Sequence, residues 1–297
     1  MKVGLIGSGN MARALARGWG EPVLCSDSGS GRAQALALEL GGRAASNLEV
    51  AREADLVVLC HKPYQLKAVA AEIAGEAKAV VSILGATTLR DLRQAYPGVP
   101  VFRIEPNTPV EVRRGVLLWA DGGMDAAAAA ATAAASAATA RGNRVVAGSA
   151  AADPVTTEEA EQAAADAKEA LDEQFLYEEV LALFEQIGWV AHVPERLLGA
   201  AAAVSAVGPA YLALLAEAWS DAAIRHGLSP EVASGLTIAT MAGTADLLAI
   251  RDGDTLAVRR EVTSPGGSTA RGLDALERAG LRTAFADAMD AVDRTQR

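Results

Sequence analysis

The sequence predicts a doubly wound, parallel α/β domain followed by an all-helical one. Three observations lead there. Short β-branched runs alternate with helical patterns over residues 1–120. A G-x-G-x-x-A motif stands directly after the first of those runs. Beyond Pro194 the periodicity is helical to the end of the chain.

The elements follow in order. Lys2–Ile6 reads as a strand, Asn10–Trp19 as a helix, Val23–Ser26 as a strand and Gly31–Leu40 as a helix. Asp55–Cys60 is a buried strand, Gln65–Ala74 a helix, Val80–Leu84 a strand and Thr88–Tyr96 a helix. Val101–Ile104 is a further strand. Apolar runs without polar alternation imply strands covered on both faces, as in a parallel sheet between helical layers. Residues 121–185 differ. Ala126–Ala140 is nearly pure alanine, and Thr132, Ser136 and Thr139 share one helical face. Arg141–Pro154 reads as a loop, and Thr157–Phe184 as a helix opened by the capping chemistry of Thr156-Thr157-Glu158-Glu159. We take about 122–172 as an insertion: a weakly packed one, or a lid or oligomer contact. Gly188–Val193 closes the first domain, giving domains at 1–193 and 194–297. The second comprises Glu195–His226, broken at Gly208-Pro209, then Pro230–Ile250 and Thr269–Arg294.

Composition narrows the function. The chain has 297 residues, 51% hydrophobic and 22% charged, with a net charge of −10. That excess of acid argues against nucleic acid and anionic membrane as partners. Two cysteines, Cys25 and Cys60, are too few for a disulfide framework and suggest a reducing compartment. The N-terminal apolar run is too short for a signal peptide, and no uncharged run reads as a membrane span, so a cytoplasmic location is expected. Alanine supplies 67 residues against 12 aromatics, which favours closely packed helices.

The chemistry lies at the carboxyl ends of the strands, where ligands bind in open α/β sheets. In Gly7-Ser8-Gly9-Asn10-Met11-Ala12 the first glycine permits a tight turn. The second admits a pyrophosphate, and the alanine lets helix and strand pack closely. Asp27 stands 20 residues after Gly7, where an acid accepts from an adenosine ribose 2′-hydroxyl. Ser26, Ser28, Ser30 and Arg32 around it suit a 2′-phosphate instead, so NADH and NADPH both stay open. His61-Lys62-Pro63 and Glu105-Pro106-Asn107-Thr108-Pro109 follow two further strands. In the helical region, Thr263-Ser264-Pro265-Gly266-Gly267-Ser268-Thr269 precedes a helix and offers an anion nest for a carboxylate or phosphate. Together these point to an enzyme acting on a small anion. No metal site is expected.

These motifs, in this order, resemble the pyrroline-5-carboxylate reductase family. The matching stretches are Gly4–Ala12, Lys62-Pro63, Pro106–Pro109, Gly208-Pro209-Ala210-Tyr211 and Val262–Gly267. The resemblance implies a Rossmann domain followed by an all-α C-terminal dimerisation domain. It implies NADPH- or NADH-dependent reduction of 1-pyrroline-5-carboxylate, a small anionic cyclic imine, to L-proline, the last step of proline synthesis. It also implies a homodimer, with assembly into decamers as an option. By this likeness Gly7, Ser8, Gly9, Asn10 and Met11 hold the pyrophosphate. Ser26, Asp27 and Asn47 lie by the adenosine ribose. Cys60, Lys62, Pro63, Gly85 and Asn107 lie along the cofactor. Ser264, Gly267, Ser268 and Thr269 hold the substrate, with Thr269 the catalytic hydroxyl at the ring nitrogen.

Several positions depart from that pattern. His61 stands where the family has a small apolar residue, and Glu105 where it has methionine. Ala206-Val207 replaces Gly-Ser, Gly199 replaces aspartate, and the alanine-rich region exceeds the family's linker. His61 and Glu105 suggest tuned proton delivery or specificity. The alternatives are a related reductase for another cyclic imino acid, and a non-catalytic nucleotide-binding homologue. A 3-hydroxyacid dehydrogenase would need a lysine on the helical domain, and none follows Lys168.

Overall fold

The computed structural model describes residues 1–122 and 157–293. The expected alanine helix 126–140 and the loop 141–154 lie outside the described residues.

Eight strands form one sheet: β1 (Val3–Ile6), β2 (Leu24–Ser26), β3 (Arg43–Ala44), β4 (Leu56–Leu59), β5 (Val80–Ser82), β6 (Val101–Pro106), β7 (Gly115–Asp121) and β8 (Gly188–Pro194). Their order is β3-β2-β1-β4-β5-β6-β7-β8. The first six are parallel, with Ile6 registered against Ser26 on one side and Leu59 on the other. β7 departs from the expected parallel pattern: it runs antiparallel to β6, pairing Trp119 with Ile104, while β8 returns parallel to β7. The strand order reverses beside β1, which opens a ligand crevice at the carboxyl ends of β1 and β4.

Two helical layers cover the sheet. Alternate strand residues Leu5, Val58, Val81 and Ile104 bury against α1 (Asn10–Trp19), α2 (Arg32–Leu40) and α6 (Thr157–Glu185). Ile6, Val57, Leu59 and Val80 face α3 (Asn47–Glu53), α4 (Leu66–Ile73), α5 (Leu89–Ala95) and α7 (Leu198–Ser205). Each fully buried aliphatic side chain contributes about 1.5–3 kcal/mol, so the central strands carry most of the stabilisation. The C-terminal part of α6 belongs to this core: Phe184 meets Trp19 edge-on at 5.5 Å, and the Trp19 indole N–H donates to the Leu183 carbonyl at 3.0 Å.

The short elements β3 and α3, and the strand β7, are additions to the sequence reading. α3 is fixed by a reciprocal capping box, in which Ser46 Oγ accepts from the Glu49 N–H and the Glu49 carboxylate accepts from the Ser46 N–H.

Packing divides the chain into Met1–Ala206 and Val207–Arg297. The reason is α7, which buries Leu198 and Ala202 in the same cluster as Leu118 and Ala120 of the sheet. The second unit is helical throughout: α8 (Gly208–Arg225), α9 (Pro230–Ile250), α10 (Thr255–Glu261), α11 (Ser268–Arg278) and α12 (Leu281–Asp293). Ser229 and Asp254 cap α9 and α10 through side-chain oxygens. Of its described residues, only Ala233, Thr237 and Val258 are buried. Leu214, Trp219, Leu236, Ile238 and Phe285 are all exposed. By length and composition alone, Glu195–Arg225 and Pro230–Ile250 are apolar enough to cross a membrane, a property the sequence reading did not register.

Candidate active site

The glycine turn sits where β1 gives way to α1. Gly7 has a φ of +101°, and a Cβ there would lie 2.7 Å from the Cys60 carbonyl carbon and 2.8 Å from the His61 nitrogen. Only glycine brings β1 this close to the end of β4. The Gly7 N–H and the Ser8 hydroxyl both donate to the Ser26 carbonyl, at 3.1 and 2.9 Å, tying the turn to the end of β2. Gly9 is the N-cap of α1, in extended backbone, and a Cβ on it would meet nothing within 4 Å. Asn10 and Met11 then open the helix, whose first N–H groups lack intrahelical partners and favour an anion. These residues fit a dinucleotide pyrophosphate: a tight turn, an unobstructed approach over Gly9 and a helix N-terminus.

The residues expected at the adenosine ribose are linked among themselves. The Ser26 hydroxyl donates to Asn47 Oδ1 at 2.6 Å, and Asn47 Nδ2 donates to Glu72 at 2.8 Å. Asp27 accepts from the N–H groups of Ala33 and Gly29 and from the Ser30 hydroxyl, at 2.8–2.9 Å. These bonds, the Ala33 N–H foremost, hold its carboxyl down at about 2. Asp27 therefore shapes the Ser28–Arg32 loop as a carboxylate that stays ionised at neutral pH.

Along the far side, the Cys60 N–H donates to the Ile6 carbonyl at 2.8 Å, and burial pushes the Cys60 thiol up. That makes it a packing residue rather than a nucleophile. Lys62 is exposed, and Pro63 opens a single 3₁₀ turn, Pro63–Gln65. A Cβ on Gly85 would also meet nothing within 4 Å. Asn107 is buried, and its side chain is spent inside the fold: Oδ1 accepts from the Val116 N–H at 2.8 Å, and Nδ2 donates to the Ser205 carbonyl at 3.0 Å. It thereby fixes the Pro106–Pro109 loop at the end of β6.

His61 and Glu105 do not meet, because β5 lies between their strands. Glu105 instead takes part in a part-buried ionic cluster, centred on buried Arg103, that the sequence reading missed. Arg103 donates to Glu105 at 2.7 Å and to Glu195 at 2.8 Å. Glu195 also accepts from the Leu89 N–H at 2.7 Å, satisfying the start of α5. Nothing local in the sequence announces a pair 92 positions apart.

In the helical unit, Pro265 and Gly266 form the corners of a tight turn. The Gly267 N–H donates to the Ser264 carbonyl at 3.0 Å, and Gly266 has a φ of +68°, as a type II turn requires. Gly267 caps α11, leaving Ser268 and Thr269 in its first turn. Ser264 and Ser268 are exposed and Thr269 is half-buried. Hydroxyls and unpaired helix N–H groups can hold a carboxylate here. Among the described residues no cluster of three His, Cys, Asp or Glu side chains is arranged to hold a metal ion.

Known proteins match along the whole chain. Residues 195–297 match the family model for pyrroline-5-carboxylate reductase dimerisation. Residues 2–85 match that for NADP oxidoreductase, coenzyme F420-dependent. The pyrroline-5-carboxylate reductase of Synechocystis sp. is 31% identical, over 99% of this chain and 96% of its own length. That of Pseudomonas aeruginosa is 31% identical over 98% and 93%. The solved structure of a pyrroline-5-carboxylate reductase from Coxiella burnetii superposes with a TM-score of 0.71 at 26% identity, covering 99% of this chain and 97% of that one. The Plasmodium falciparum enzyme, solved with NADP bound, shares the fold with a TM-score of 0.72 at 22% identity, covering 100% and 97%. Identity of this level over nearly full length, on a shared fold, means that the chain belongs to the pyrroline-5-carboxylate reductase family.

Proposed function

We propose that this chain is an NAD(P)H-dependent oxidoreductase that reduces 1-pyrroline-5-carboxylate to L-proline. The observation that carries the reading is the glycine cradle at Gly7 and Gly9, in a chain 31% identical to a named reductase over 99% of its length. A bound nicotinamide supplies the hydride. A cyclic imine protonated on nitrogen is already a strong acceptor, so the protein's main task is placement. Hydride adds to the imine carbon, and the C=N π pair becomes the lone pair of the product amine.

The chain's own residues divide that work. The Gly7–Met11 turn and the α1 N-terminus take the pyrophosphate. Ser26, Asp27 and Asn47 border the adenosine ribose, and Cys60, Lys62, Pro63, Gly85 and Asn107 shape the path toward the reacting end. Ser264, Gly267 and Ser268 take the substrate carboxylate through hydroxyls and N–H groups. Thr269 hydrogen-bonds the ring nitrogen through its hydroxyl. The exposed apolar faces of α8 and α9 meet a second copy of the chain rather than lipid, since α8 also carries Glu217, Asp221 and Arg225. Dimers become the unit of a decamer only where a further surface serves, so we propose the homodimer, acting in the cytoplasm without nucleic acid or membrane.

A second reading, a reductase for another cyclic imino acid, draws on Ala206-Val207 ahead of Gly208-Pro209 and on the alanine-rich insertion. Steady-state reduction of a panel of cyclic imines, with NADH and NADPH in parallel, separates the two. Highest kcat/KM on the five-membered 5-carboxylate supports the first reading. Highest kcat/KM on a six-membered imine supports the second. Dinucleotide binding without turnover on any imine overturns both in favour of a non-catalytic homologue.

A further inference from the structure

The His61 imidazole is committed to one tautomer. Its Nδ1 lies 2.9 Å from the carbonyl oxygen of Lys62, which can only accept, so Nδ1 carries the proton. Burial holds the ring below the ordinary histidine pKa and keeps it neutral. Nε2 is then a bare acceptor, and it is buried without a hydrogen-bond partner. Such an orphan costs about 1–3 kcal/mol and calls for an explanation. The location supplies one. The His61 backbone abuts Gly7, the first glycine of the pyrophosphate turn, at the end of a strand paired with β1. The residue therefore stands just past the carboxyl end of β4, the side of the sheet on which a dinucleotide runs from its pyrophosphate toward its nicotinamide. His61 itself is partly exposed and the adjoining Lys62–Tyr64 is exposed, so the residue lies at the rim of the fold rather than in its core.

We propose that His61 Nε2 accepts a hydrogen bond from a hydroxyl of the nicotinamide-side ribose, so that this side chain reads the half of the cofactor that delivers hydride. The inference rests on the dinucleotide-binding reading above. It makes His61 a positioning residue for the cofactor, not a proton donor to the substrate.

The test compares whole dinucleotide with its adenosine fragment: NADPH against adenosine 2′,5′-bisphosphate, and NADH against ADP. Binding is measured calorimetrically on the full chain and on His61→Val and His61→Gln. His61→Val is expected to weaken the dinucleotide about fivefold, the worth of one net hydrogen bond. Fragment affinity should stay within twofold. His61→Gln, which returns an acceptor at similar reach, should recover most of the loss. In ¹⁵N spectra of the unsubstituted protein, the Nε2 resonance should move upfield on adding the dinucleotide and stay still on adding the fragment. Equal losses for dinucleotide and fragment would mean a distorted glycine turn and would overturn the proposal. So would an unchanged dinucleotide affinity in His61→Val, or an unmoved Nε2 resonance. If the unsubstituted chain binds neither dinucleotide, the parent reading fails first and this one with it.

Discussion

Replacing Gly7 by alanine puts a methyl group 2.7 Å from one backbone carbon of Cys60 and 2.8 Å from its oxygen. It also forces an L-residue to a φ of +101°. The backbone conformation costs about 1–3 kcal/mol and the crowding about 1–3 more, so a loss of about 2–6 kcal/mol is expected. Replacing Gly9 instead puts a methyl where no atom lies within 4 Å, on backbone already at a φ of −74°. A poorer N-cap and a less flexible unfolded chain nearly offset, leaving stability within about 0.5 kcal/mol. The crowding reappears between that methyl and the pyrophosphate, where about 1–3 kcal/mol is about 5- to 150-fold in Kd. Urea unfolding followed by tryptophan fluorescence reads the first quantity, since Trp19 and Trp119 are buried in the α/β unit. Titration with NADPH or NADH reads the second. Gly9→Ala with normal dinucleotide affinity and a stability loss equal to that of Gly7→Ala would refute the division of labour between the two glycines.

Three further outcomes follow from the same geometry. Thr269→Ala should lower kcat by more than tenfold while NAD(P)H affinity stays within twofold; equal losses in both would point to collapse of α11. Arg103→Leu leaves Glu105 and Glu195 as unpaired, partly buried charges and should cost about 3–5 kcal/mol by urea unfolding, whereas Glu105→Met spares the 2.8 Å pair with Glu195 and should cost about 1 kcal/mol or less. Asp27 is depressed to about 2 against an ordinary value of about 3.9, so its stabilising contribution is complete above about pH 4 and is lost as pH falls toward 2. The Tm gap between the unsubstituted chain and Asp27→Asn should therefore be widest near neutrality and narrow over that window; a gap that widens on acidification would contradict the loop hydrogen bonds as its source.

Much of the α/β unit was legible because its strands are buried on both faces. Runs such as Leu56–Leu59 contain nothing polar, and one glance at Gly7-x-Gly9 after such a run places a turn. What escaped has physical reasons. α3 spans seven residues, two turns, too few for periodicity to emerge, though Ser46-x-x-Glu49 marked its start. β7 is as apolar as its neighbours, and its direction depends on the turn at Arg113, at a φ of +58°, rather than on its own residues. The Arg103–Glu195 pair depends on chain folding over 92 positions. At the site, residue types were legible but their partners were not. Nothing in the sequence says that Asn107 spends its amide on Val116 and Ser205, or that Asp27 turns onto its own loop.

The exposed Leu214, Trp219, Leu236 and Phe285 of the helical unit carry a thermodynamic consequence. With three described residues buried, that unit has little core of its own, and in a homo-oligomer its apolar area leaves water only on association. Folding and assembly then become one mass-action equilibrium, in which each tenfold change in protein concentration is worth about 1.4 kcal/mol. The melting temperature should rise with concentration, and dilution should act on this unit as urea acts on an ordinary domain.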